Sequence, residues 1–110
     1  MSKRKVHRNS HKNNDPHHLY EFFDQKENEV FKYGISADPI EADGLSRRIR
    51  RQLSIFNLAA GWLRYIARIL VSNISGRKAA EKIENQHMED FQTKHGHLPR
   101  GNRKKNGPGV

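Results

Sequence analysis

The chain contains no cysteine, so disulfides, a thiolate zinc site and a cysteine nucleophile are all excluded. It also lacks a long uninterrupted apolar run. The most apolar stretch, Leu58 to Ile74, carries Arg64 and Arg68 in its interior, which argues against a membrane span. No secretory signal is visible, because Met1-Ser-Lys-Arg-Lys-Val-His-Arg8 leads into Asn, His and Lys rather than an apolar segment. Hydrophobic residues make up only 34% of 110 residues, and the mean hydropathy is −0.99. One small domain with a modest core is therefore expected, with no internal repeat.

Acidic residues are short as well, and unevenly so. The net charge is +9, which points to a polyanionic partner, nucleic acid before an anionic membrane surface. Residues 1–18 carry five Lys/Arg and one Asp, and residues 97–110 carry four Lys/Arg and no acid. The middle, 19–96, is almost neutral, with twelve bases and eleven acids, yet it is polarised. From Gly44 to Ala80 there are eight bases and no acid, an arc that can line a phosphate groove or simply form a solvated helix face.

Residues 1–18 are too polar to bury surface and read as a flexible basic arm; residues 19–102 form the folded domain and residues 103–110 a basic flexible tail. Leu19-Tyr-Glu-Phe-Phe23 and Glu29-Val-Phe-Lys-Tyr-Gly-Ile35 are strand-like and are separated by turn residues, so they predict a β-hairpin. After an irregular loop, Ser46 is a candidate N-cap for a helix in which Ile49, Leu53 and Phe56 repeat, ending near Ala59-Ala60-Gly61. Trp62 to Val71 fits a strand or a helix. The β-branched Ile69-Leu-Val71 and the turn-like Ser72-Asn-Ile-Ser-Gly76 favour a strand followed by a loop. A last helix runs from about Arg77 to Lys94 and stops at Gly96. The fold class is α+β, a small three-stranded antiparallel sheet flanked by helices.

One residue of that last helix is out of place. Ala80, Ile83, Met88 and Phe91 form its apolar stripe, and Glu84 falls inside it, whereas Glu81, Glu89 and Asp90 lie at the edge or beyond. A carboxylate facing a core needs a partner: a buried ion pair with one of the arginines, or a metal ion.

Set in order, Leu19-Tyr20, Lys32-Tyr33-Gly34-Ile35-Ser36, an arginine opening the next helix, Ala80-Glu-Lys-Ile-Glu84 and Pro99-Arg-Gly-Asn102 resemble the motifs of the GIY-YIG endonuclease superfamily, in its divergent phage and polymorphic-toxin branches. The resemblance implies a mixed fold around a three-stranded antiparallel sheet and hydrolysis of phosphodiesters with one divalent ion, Mg²⁺ or Mn²⁺. It assigns Tyr20 as base or water-positioning group, Arg48 as phosphate clamp with Arg51 as the fallback, Glu84 as metal ligand and Asn102 as orienting partner. Lys32 stands where the family has its second tyrosine, and would lower the pKa of Tyr20 or contact phosphate. Arg47, Arg50, Arg51 and Arg100 would bind the nucleic acid, and His87, one turn from Glu84, could support it.

Each residue also has a plainer explanation: Tyr20 as a half-buried strand aromatic, Gly34 as a bulge or close-packing position, the arginines as generic phosphate affinity and Asn102 as a turn residue. The ordered set favours a metal-dependent endonuclease, on DNA rather than RNA, of toxin or mobile-element type, cytoplasmic or delivered as an effector, with an acidic immunity protein as a partner. The rivals are a non-catalytic nucleic-acid-binding protein and a basic amphipathic segment, residues 45–73, acting on membranes.

Overall fold

The computed structural model describes residues 14–102 and 105–106. Strand β1, Pro16–Asp24, lies between β2, Glu29–Ser36, and β3, Tyr65–Ser75, in a three-stranded sheet of order β2-β1-β3, antiparallel throughout. Helix α1, Arg47–Ala60, joins β2 to β3, and helix α2, Arg77–His95, follows β3. The α+β class and the antiparallel sheet are those expected.

Alternation along β1 builds two cores. Leu19 points to one face, where it packs with Tyr33, Ile35, Ile74 and with Ala80, Met88 and Phe91 of α2. Tyr20 and Phe22 point to the other, where Ile49 of α1 covers them with Leu53, Phe56 and Ile69 around it. Both faces of the central strand are therefore sealed, and the ring system Tyr20, Phe22, Phe56, Phe31 and Tyr65 packs edge-on or tilted. Helix α1 begins where the Ser46 hydroxyl accepts from the Ile49 amide and ends at Gly61, whose φ of 81° is the left-handed value favoured by glycine.

Three expectations are corrected. The sheet starts at Pro16, so His17 and His18, read as part of the arm, are strand residues at 1% and 3% exposure; pairing of Pro16 and His17 with Ser75 and Ile74 draws them in. That pairing also carries β3 to Ser75, past the Val71 end suggested by turn-like residues. Left-handed Asn73 (φ 56°) and the register shifts opposite His18 accommodate it. Residues 45–73 do not form one amphipathic element, since a helix, a turn and a strand divide them. The rest of the arm, residues 1–13, and most of the tail lie outside the described residues.

An internal ion pair closes the hairpin. Asp24, 1% exposed, accepts from Arg64 Nε at 2.8 Å and Nη2 at 2.7 Å, while its Oδ1 also takes the Lys26 amide at 2.9 Å. The Arg64 hydrogen bonds, joined by those of the turn amides, hold the Asp24 carboxyl below its ordinary pKa against the opposing effect of burial. A depressed folded pKa gives stability above the ordinary aspartate range that disappears as the pH falls through the folded value. Asp24→Ala should cost about 1 to 2 kcal/mol in urea unfolding at neutral pH, the range for losing a charged acceptor of turn amides. The variant and native curves should converge in acid.

Candidate active site

Tyr20 sits at the middle of β1, opposite Gly34 of β2. Its ring lies directly across that glycine: a Cβ on residue 34 would be 2.4 Å from the tyrosine Cζ and 2.5 Å from its oxygen. The glycine of the second motif is thus the space into which the tyrosine of the first one fits, rather than a bulge. Gly34→Ala should displace the ring, costing about 1 to 3 kcal/mol in thermal unfolding as overpacking does. The near-ultraviolet circular dichroism of the tyrosines should change with it.

The hydroxyl of Tyr20 donates to Gln52 Oε1 at 3.0 Å. Gln52 is one turn along α1 from Arg48, so a single helix face carries both side chains to the tyrosine. Burial raises the Tyr20 pKa; the Arg48 guanidinium opposes the rise, and Glu84 and Asp38 add to it. Lys32, two residues before Gly34, is turned to the same face of β2, and its Nζ lies 6.0 Å from the centre of the Phe56 ring. Burial lowers its pKa, Arg48 lowers it further, and Glu84 pulls the other way. Among the charges that bear on Tyr20, that of Arg48 is the largest.

Glu84, in α2, is 7% exposed. Burial raises its pKa, against a hydrogen bond from Asn106 and the charges of Arg77 and Lys32, with Glu81 adding to the rise. Glu81 is itself only 4% exposed, deeper than its place at the edge of the stripe suggests, because Arg77 lies across it with Nε 3.2 Å from its Oε1. The buried ion pair considered for Glu84 is realised one turn earlier, at Glu81. Glu84 Oε1 instead accepts from the amide of Asn106 at 2.7 Å.

Tyr20, Lys32 and Arg48 thus lie on the α1 side of the sheet, and Glu84, carried by α2, is near enough for its charge to bear on Tyr20 and Lys32. Asn102 does not join them through its side chain. Its Oδ1 accepts from the Tyr33 amide at 2.8 Å and its Nδ2 donates to the Tyr33 carbonyl at 3.0 Å, so it completes the open edge of β2 like an added strand residue. Gly101 prepares this docking: its amide donates to the Phe31 carbonyl at 2.7 Å, with no room for a side chain against Phe31. The segment thus braces the strand that carries Lys32 and Gly34.

The nucleic-acid-binding arginines divide. Arg47, Arg48 and Arg51 are exposed and line a shallow hollow with Asp38. Arg50, also expected to bind, is held by Glu41 and by Asp43, whose two oxygens are both 3.1 Å from its Nη1. Arg100 lies 3.3 Å from Glu29 but remains largely exposed. The stretch that is free of acids along the sequence is therefore not so in space, because the loop of residues 37–45 folds Asp38, Glu41 and Asp43 back onto α1.

Two further residues lie beside Tyr20: Gln52, which the sequence did not mark, and His18, which it offered only as one of several histidines able to bind a metal. Gln52 has just been described. His18, on the Tyr20 face of β1, has its ring centre 6.2 Å from that of Tyr20. Burial lowers its pKa, Asp38 opposing and His17 assisting, so the imidazole beside Tyr20 is biased toward its neutral form. His87, by contrast, is turned away from Glu84, with Nδ1 2.9 Å from the Ile83 carbonyl and its ring against Tyr33.

For a metal ion, Glu84 is the carboxylate available at the cluster, and no group of three or more His, Asp or Glu side chains converges among the described residues. One hard oxygen donor suits Mg²⁺, which keeps several waters and takes other ligands from a phosphate substrate. The residues present fit such an ion and do not form a closed cage.

No curated protein and no solved structure matches the chain. The sequence profile of the family described as URI fold toxin 2 matches residues 10–96, which takes in all three strands and both helices. By a match over most of its length, the chain belongs to the URI fold toxin 2 family.

Proposed function

We propose that this toxin is a divalent-metal-dependent endonuclease of GIY-YIG type that hydrolyses phosphodiester bonds, in DNA rather than RNA. The observation that supports this most is the cluster itself. A buried tyrosine, an exposed arginine, a weakened lysine and a buried carboxylate from four different elements bear on one another's charge. Phosphodiester hydrolysis has a use for each of them: a group that positions water, a cation for the phosphate oxygens, a proton donor for the leaving oxygen and a carboxylate for an ion.

The roles follow from the electrostatics. Arg48 is exposed at the mouth, where a guanidinium can meet the equatorial phosphate oxygens. Tyr20, its pKa raised, works as a neutral hydroxyl that orients the attacking water, and Gln52 fixes the rotation of that hydroxyl. Lys32, its pKa lowered, is the cation of the cluster most ready to release a proton and is suited to the leaving oxygen. A divalent ion on Glu84 would supply charge stabilisation at the phosphate. Arg47 and Arg51 extend the positive surface along the backbone of the substrate.

Among the described residues no helix is long and apolar enough to cross a membrane, and a delivered effector is the reading that suits a toxin. An acidic immunity protein would protect the producing cell by covering this basic face. Incubation with supercoiled plasmid and with total RNA, read beside a gel-shift assay, separates catalyst from binder. Nicking or linearisation that requires Mg²⁺ is expected. Shifted but intact plasmid would favour the non-catalytic alternative, carried by the exposed Arg47 and Arg51.

A further inference from the structure

We infer that Asn106, beyond the last motif residue Asn102, is the positioning residue of the Glu84 carboxylate; the inference rests on the nuclease reading above and deepens it. Residues 105 and 106 lie against α2, where Asn106 is held by its backbone. The Asn106 amide donates to Asn85 Oδ1 at 2.7 Å, and the Asn85 Nδ2 donates to the Asn106 carbonyl at 3.3 Å, so one asparagine side chain holds the backbone of the other at both groups. This fixes where the Asn106 side chain goes. Its Nδ2 donates to Glu84 Oε1 at 2.7 Å, with the Glu81 carbonyl at 3.3 Å and Asn85 Oδ1 at 3.1 Å as further acceptors.

The chemistry of the partner matters. Glu84 has cations nearby, Arg77 and Lys32, yet the group bonded to it is a neutral amide. An amide fixes the rotation of a carboxylate and occupies one oxygen without cancelling its charge, leaving the second oxygen to an ion. A lysine or arginine in the same place would compete with the metal. Asn102, to which the motif order assigned the orienting role, spends both ends of its amide on the Tyr33 backbone.

Three variants of the full chain test this: Asn106→Ala, Asn106→Asp and Lys105→Ala. The aspartate keeps the shape of the side chain but turns an oxygen toward Glu84, and Lys105→Ala removes only the exposed tail contact to Glu89 at 3.3 Å. Two quantities are read, the Mg²⁺ affinity by titration calorimetry and the Mg²⁺ concentration for half-maximal plasmid cleavage. Asn106→Ala should weaken both about 10- to 100-fold, the range for losing the hydrogen-bond partner of a metal ligand. Asn106→Asp should be at least as weak despite its shape, and Lys105→Ala should match the native protein. Native-like Mg²⁺ affinity in both Asn106 variants would overturn the inference, as would equal weakening by Lys105→Ala, which would mean that tail docking alone matters. If the native chain binds Mg²⁺ through Glu84 and the Asn106 variants lose it while no substrate is cut, the inference stands and the nuclease reading falls. A native chain that binds no Mg²⁺ overturns the inference whatever it cuts.

Discussion

Replacing Glu84 with glutamine is expected to make the domain more stable at neutral pH while abolishing its activity. The two effects have one cause. Burial raises the folded pKa of Glu84 above its ordinary value, so the fold favours the protonated form more than the unfolded chain does. Stability from such a group is fully present below the ordinary glutamate pKa and is lost as the pH rises through the folded value. At neutral pH the native protein therefore lacks part or all of the stability that the protonated form would give, and glutamine restores it while keeping an oxygen for Asn106. A gain of about 1 kcal/mol would raise Tm by about 4 to 8 °C in a domain of this size. Cleavage should fall about 10³-fold or more, since the charge stabilisation supplied by a bound ion is worth several kcal/mol at the transition state. A thermal melt at neutral pH, repeated with Mg²⁺, checks both halves. The ion should raise the Tm of the native protein and leave that of the variant where it is.

The second large effect concerns the arginines of α1, which composition alone could not separate. Arg48 and Arg51 both line the outer hollow, and the charge of Arg48 also bears on Tyr20 and Lys32. Arg48→Ala should lower kcat about 10²- to 10³-fold, as removal of one preorganised donor to a developing oxyanion does. Arg51→Ala should act chiefly on KM, losing one phosphate contact, with a correspondingly shallower salt dependence of binding. Arg50→Ala should instead lower stability modestly, because its guanidinium is engaged by Glu41 and Asp43 at the surface. Single-turnover cleavage of a short duplex separates these outcomes, and the reverse ranking of Arg48 and Arg51 would move the phosphate clamp one turn along the helix.

Much of the architecture was legible because local chemistry agreed with it. The turn residues between Asp24 and Asn28 mark the hairpin, Ser46 and Gly61 bracket α1, and the apolar stripe of α2 ends at Gly96. What was not legible depends on contacts between distant parts of the chain. Ser72 to Ser75 look like a loop and become a strand only because Pro16 and His17 pair with them. The same pairing buries two histidines whose surroundings in sequence are polar. At the site, Glu84 announced itself by interrupting an apolar stripe, and Gly34 by its motif. Gln52 gave no signal, since a glutamine on a helix is ordinary until a tyrosine from another strand reaches it. Asn106, in a polar tail, gave none either, and Arg50 reads like its neighbours until the loop brings Glu41 and Asp43 to it.

The most direct test is the cleavage reaction of the purified chain with supercoiled plasmid across Mg²⁺ concentrations, beside Glu84→Gln and an EDTA control, with the product ends analysed. Water attack at phosphorus in line with and opposite the 3′-oxygen breaks the P–O3′ bond, leaving a 3′-hydroxyl and a 5′-phosphate. The expected result is Mg²⁺-dependent cutting that yields such ends and disappears both with EDTA and in Glu84→Gln. Cutting that survives Glu84→Gln, or persists in EDTA, would contradict the account.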